Sequence, residues 1–239
     1  MSRPMKIWAH RGASAFAPEN TLQAFQLALD KGADGLELDV HLSRDGEVMV
    51  FHDLTLQRMT NQPGRICDHT LEELKQFDFP IPSLREVYQL ANDYTQTHNR
   101  PITINVELKT DEELYPAMPA KLLELEREIN FGSVIYSSFN HYSLMALRQL
   151  QPTAPIGLLY NMGMVNPHLY AQSLQANALH APWQIIAALP QTVADCHALS
   201  IAVHVWTVND ANIMALMQQA GVDALITDSL FDHMYTHHG

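Results

Sequence analysis

The 239-residue sequence predicts an α/β fold built on a parallel sheet. Three observations carry that expectation. About eight short apolar runs of strand character alternate with amphipathic helical patterns. Neither an internal repeat nor a low-complexity linker interrupts the alternation, which favours one domain. Hydrophobic residues make up 47% of the chain and charged ones 17%, enough for a sizeable core and too apolar for wholesale disorder. Both a closed (β/α)8 barrel and an open doubly wound sheet fit this pattern.

Taken in order, KIWAH at 6–10 is the first strand. Asn20 or Thr21 opens a helix, with Gln23 placed three residues after Asn20 as in a capping box. The helix runs through LQAFQLALDKG and stops at Gly32. DGLELDVHL, the turn SRDGE and VMVFHD follow, and residues 36–52 read as a hairpin. Residues 53–80 break the rhythm; they read as a loop with one small helix, a cap rather than a second domain. SLREVYQLANDY is helical, ITINVELK a strand, AMPAKLLELEREI a helix, SVIYSSF a strand and YSLMALRQL a helix. PIGLLY, NALHA, IAVHVWTV and DALITD are the later strands, with helices at 166–176, 190–199 and 210–220 between or before them.

Composition narrows function. Fourteen basic against 26 acidic residues give a formal charge of −12, which disfavours a nucleic-acid surface. An anionic substrate would therefore need local positive charge from Arg, Lys or a metal. Cys67 and Cys196 lack metal-type spacing, and nothing implies a bridge between them. MSRPMKIWAH runs straight into the first strand, leaving no room for a signal peptide, and no apolar run suits a membrane span. The expectation is a soluble, cytoplasmic protein without membrane insertion. The tail HMYTHHG reads as a terminus rather than a metal-binding tract.

The polar residues at strand ends are the functional signal. Strands of a parallel sheet are buried on both faces, so polar groups inside them are costly. Glu37 and Asp39 share one strand face, while Leu36, Leu38 and Val40 face the other way, towards helices. Asn105, Glu107 and Lys109 likewise share a face. Three carboxylates brought together would repel, and a divalent cation removes that conflict; an all-oxygen set suits Mg²⁺ or Ca²⁺ better than zinc. A buried network with Arg and Lys is the alternative. His10 and His52 each close an extended run beside a charged residue, Arg11 and Asp53, and two imidazoles can supply an acid and a base near neutral pH. Asp53 either orients His52 or caps the following turn. His204 reads as a core residue. Trp206 fits core packing and substrate contact equally, and Asp228 fits a helix start.

HRGASAFAPENT, ELDVHLSRDGEVMVFHD, IPSL, NVELK, SSF, VWTVN and ITD, in that order, resemble the glycerophosphodiester phosphodiesterase family. The matching pieces cover most of the chain. The resemblance implies a (β/α)8 TIM barrel with a small insertion after the second strand. It implies metal-dependent hydrolysis of glycerophosphodiesters, small-molecule products of phospholipid deacylation, to sn-glycerol 3-phosphate and an alcohol. Glu37, Asp39 and Glu107 would hold one divalent cation, Mg²⁺ or Ca²⁺. His10 and His52 would be the acid–base pair, Arg11 and Lys109 would neighbour the phosphate, and Trp206 would line the glycerol side. Gly12 would let the backbone approach the ligand. Met59, in LQRMT at 56–60, departs from the family's usual threonine; it lies in the insertion and is expected to leave the chemistry untouched. Two rivals stand beside this reading: a metal-dependent barrel enzyme with lyase or enolate chemistry, and a non-catalytic phosphodiester-binding barrel.

Overall fold

The computed structural model describes residues 4–230, so the HMYTHHG tail lies outside the described residues. Among the described residues nine strands form the sheet: β1 (Lys6–His10), β2 (Gly35–Leu42), β3 (Val48–Val50), β4 (Ile102–Leu108), β5 (Gly132–Ser138), β6 (Ile156–Leu159), β7 (Ala178–Pro182), β8 (Ala202–Trp206) and β9 (Ala224–Thr227). Eight of them are parallel neighbours in the order β1-β9-β8-β7-β6-β5-β4-β2, and pairing of β1 with β2 closes the ring. The closed barrel is therefore the topology, and the open sheet is excluded. Only β3 runs antiparallel. It pairs with Val40–Leu42, the part of β2 that outruns its barrel neighbour β1.

Helices follow the strands as the apolar periodicity requires. Leu36, Leu38 and Val40 join Phe25, Leu29 and Tyr88 in one buried cluster between the sheet and its outer helices. Thr21, not Asn20, caps helix Leu22–Asp30, its hydroxyl accepting the Ala24 N–H at 3.2 Å. Gln23 therefore stands at the second helical position, outside capping-box spacing. Asn20 instead adopts a left-handed backbone with φ 55°, and its side chain turns towards the barrel. One helix, Trp183–Ala188, lies where the sequence pattern indicates none. Its six residues, set between Pro182 and Pro190, are too few for a helical period to declare itself. Among the described residues no helix is long and apolar enough to cross a membrane. Both cysteines are free thiols.

Residues 53–80 contain three short helical turns, Gln57–Thr60, Ile66–Asp68 and Leu71–Leu74, where the sequence suggests one. Leu56, Ile66 and Leu74 pack with Met49 and Phe51 in a second apolar cluster, which fastens the segment to β3 and the residue after it. Inside the barrel, Trp8, Ile135, Ala178, Ala224 and Ile226 form a third cluster below the polar strand ends. His204 lies in this interior, 2.9 Å by Nδ1 from His180 Nε2, with Trp8 edge-on against its ring at 4.5 Å. Burial keeps His204 neutral by pushing its pKa down to about 4. Gly157 makes the space for His180, since a Cβ there would collide with the imidazole.

Candidate active site

A cavity of about 140 Å³ opens at the C-terminal ends of the strands. Its lining comprises His10, Arg11, Glu37, His52, Asn105, Glu107, Lys109, Phe139, Leu159, Trp206, Thr207 and Ile226. Asp39 is buried behind this wall, 1% exposed. The residues singled out in the sequence thus meet at one mouth, where barrel strands deliver their last side chains.

Strand register brings the acids together. Asp39 on β2 lies opposite Glu107 on β4, and Glu37 opposite Asn105. Carboxylate oxygens of Glu37, Asp39 and Glu107 all fall within 4.8 Å of one another. Two cations stand beside them. Lys109 donates to Glu107 at 2.8 Å, and Arg11 Nε lies 3.4 Å from Asp39. Among the described residues Glu37 has no Lys or Arg side chain so placed; it accepts the backbone N–H of Arg11 at 3.1 Å and stands 3.9 Å from His10 Nε2. Burial, reinforced by the Asp39 charge, pushes the Glu37 carboxyl up to about 8 and the Glu107 carboxyl up to about 7. Burial acts the same way on Asp39, but Arg11, His52 and Lys109 charges and an Asn20 hydrogen bond outweigh it and hold that carboxyl below its ordinary value. Two cationic side chains, Arg11 and Lys109, thus face three buried carboxylates, with His10 beside the third. Asn105 Oδ1, also buried, has no hydrogen-bond partner. This set of hard oxygens fits a divalent cation.

Each cavity histidine is backed by a carboxylate. His10 Nδ1 lies 2.6 Å from Asp228 Oδ1, and His52 Nδ1 lies 2.7 Å from Asp53 Oδ1. Ionised carboxylates only accept, so Nδ1 of each ring carries the hydrogen and Nε2 is left for the cavity. Burial works against the charged His10 ring, but the Asp228 hydrogen bond and the Glu37 charge more than compensate and raise its pKa. At His52 burial prevails, with Arg11 and Lys109 adding to it, and the pKa falls. Of the two roles open to Asp53, orientation of His52 is the one realised. Asp228 is the carboxylate behind His10. Its carboxylate accepts from His10, from Ser14 at 3.0 Å and from Asn209 at 2.5 Å, and a helix beginning after it would lie beyond the described residues.

Arg11 adopts a left-handed backbone with φ 54°, and Glu19 accepts from its guanidinium at 2.9 Å. Its Nε, buried and 3.4 Å from Asp39, makes no hydrogen bond among the described residues. Gly12, at φ 80°, has a different purpose from the one expected. A Cβ there would lie 2.6 Å from the Ala24 backbone, so the glycine admits helix Leu22–Asp30 rather than a ligand. Trp206 lines the cavity with its indole N–H unpartnered, and its ring meets Phe139 edge-on at 5.8 Å. Sequence reasoning missed Asn20, whose amide donates to Asp39 at 2.9 Å, and Glu19 beside it. Both lie in the ENT stretch, so the signal was present in the motif but carried no indication of partner.

Residues 10–230 match the sequence profile of the Glycerophosphoryl diester phosphodiesterase family. A glycerophosphodiester phosphodiesterase of Caldanaerobacter subterraneus subsp. tengcongensis is 41% identical over 234 residues, spanning 93% of each chain. The crystal structure of the Thermotoga maritima glycerophosphodiester phosphodiesterase is similar at a TM-score of 0.80 and 31% identity, over 96% of this chain and 97% of that one. An Oleispira antarctica phosphodiesterase, solved in complex with the product sn-glycerol-3-phosphate, reaches a TM-score of 0.85 at 30% identity, over 94% of this chain and 93% of its own.

Proposed function

Because the chain belongs to the glycerophosphoryl diester phosphodiesterase family, and is a phosphoric diester hydrolase of that kind, we propose that it hydrolyses glycerophosphodiesters to sn-glycerol 3-phosphate and an alcohol with one bound divalent cation. The observation that carries this reading is the meeting of three buried carboxylates with Arg11, Lys109 and two carboxylate-backed histidines around one cavity. The product held by the Oleispira antarctica relative supports the glycerophosphate half as the recognised part.

Glu37, Asp39 and Glu107 are the residues that would hold the cation, Mg²⁺ or Ca²⁺. When bound, it polarises a phosphoryl oxygen and offsets charge that builds up there. Arg11 and Lys109 bind the remaining phosphate oxygens, Arg11 with a planar fork and Lys109 as a point charge. His52, whose surroundings favour the neutral ring, takes the proton of the attacking oxygen at Nε2. His10, which keeps its proton more readily, gives one from Nε2 to the departing alcohol oxygen. Trp206 and Phe139 offer an apolar wall to the glycerol carbons and help exclude water. Residues 53–80 act as a cap on a single catalytic domain, with Asp53 standing behind His52.

The reaction is identified by its products. Glycerophosphocholine, glycerophosphoethanolamine, glycerophosphoglycerol and glycerophosphoinositol should all release sn-glycerol 3-phosphate, because the contacts named above serve the half they share. Release of free glycerol and a head-group phosphate would reverse the assignment of the leaving oxygen.

A further inference from the structure

One further side chain of the insertion, besides Asp53, reaches the machinery. Arg58, in the short turn Gln57–Thr60, donates to Asp53 from Nε at 2.6 Å and from a terminal nitrogen at 2.9 Å. It also donates to both oxygens of Glu19, at 3.0 and 2.7 Å. Asp53 is the carboxylate behind His52, and Glu19 the carboxylate on Arg11. An unbroken chain of charge-assisted hydrogen bonds therefore runs His52–Asp53–Arg58–Glu19–Arg11. Arg58 is absent from the cavity wall, so it acts through these partners rather than on a ligand.

We infer that Arg58 is a positioning residue that fixes the His52 ring and the Arg11 fork together; this rests on the acid–base reading of His52. Asp53 sits on a loop, and its carboxylate would otherwise rotate freely. With both oxygens engaged by Arg58, Oδ1 stays aligned with His52 Nδ1, which sets the tautomer and aims Nε2 into the cavity. The Arg58 hydrogen bonds are also the leading cause that draws the Asp53 carboxyl down to about 2, keeping it an acceptor. Arg58 makes four hydrogen bonds to the two carboxylates, more than the three donors of an ammonium can supply in one geometry. Through Arg58 the LQRMT stretch would reach the chemistry, while its neighbour Met59 packs against the apolar cluster. Arg58 is 46% exposed, and exposed ion pairs add little to stability, so its loss should be felt in turnover rather than in folding.

The test is turnover of glycerophosphoethanolamine with saturating Mg²⁺, read as sn-glycerol 3-phosphate, for Arg58→Met, Arg58→Lys, His52→Ala and the double variant Arg58→Met/His52→Ala. Arg58→Met should lower kcat/KM by about 30-fold or more with a nearly unchanged melting temperature, and Arg58→Lys should recover no more than about 3-fold. Once His52 is alanine, adding Arg58→Met should cost no more than about 3-fold in kcat, with the remaining loss in KM through Arg11. The inference is overturned if His52→Ala is inactive while Arg58→Met or Arg58→Lys keeps wild-type kcat/KM. It is also overturned if Arg58→Met lowers kcat equally in both backgrounds. Wild-type turnover by His52→Ala would instead sink the acid–base reading, and the positioning role with it.

Discussion

Glu37→Gln should lower turnover by about 10³-fold, since a polarising cation contributes several kcal/mol and each 1.36 kcal/mol is a factor of ten. Cation binding measured by calorimetry should weaken in parallel. Without cation, the same variant should be as stable as the wild type or more so. The reason is that Glu37 is 3% exposed and lacks a cationic side-chain partner other than His10. Burial and the Asp39 charge raise its folded-state pKa from 4.5 to about 8. Between those values the folded chain binds a proton that the unfolded chain releases, so cation-free stability is lost as pH rises through that window. Gln abolishes that loss, and bound cation should abolish it in the wild type. A variant that binds Ca²⁺ and Mg²⁺ as tightly as the wild type would remove Glu37 from the ligand set.

His10→Ala and His52→Ala should each lower kcat by about 10²-fold or more while leaving cation affinity nearly intact. Both rings are held at Nδ1 by a carboxylate, which leaves Nε2 of each for the proton transfer proposed above. If they serve one reaction, the double variant should be little worse than the worse single one. His204→Ala is the internal control. That ring is buried among Trp8 and His180, so its removal should cost about 2–4 kcal/mol in urea unfolding by leaving a cavity, with kcat retained. Wild-type kcat in either His10→Ala or His52→Ala at saturating cation and substrate would mean that the proton moves by another route.

Much of the barrel was legible because each strand carries its own period. Glu37 and Asp39, or Asn105, Glu107 and Lys109, share a face by alternation alone, whatever lies beyond the strand. Closure was not legible in the same way. The pairing of β1 with β2 that shuts the ring is a relation between strands, and only the family resemblance separated barrel from open sheet. Partners distant in sequence were equally hidden. Asp228 lies 218 residues from His10, and nothing local distinguishes it from an ordinary carboxylate at a strand end. Arg58 reaches Glu19 from 39 residues away, across an insertion whose turns are too short to show a helical period. Gly12 illustrates the opposite error: its location beside Arg11 suggested a ligand, whereas the space is taken by Ala24.

The most direct measurement is release of sn-glycerol 3-phosphate from glycerophosphocholine by protein stripped with EDTA and then resupplied with Mg²⁺ or Ca²⁺. The stripped protein should be inactive, one of the two ions should restore turnover, and neither should restore Glu37→Gln. Full turnover by the stripped wild-type protein would contradict a cation held among Glu37, Asp39 and Glu107, and with it the account of the site.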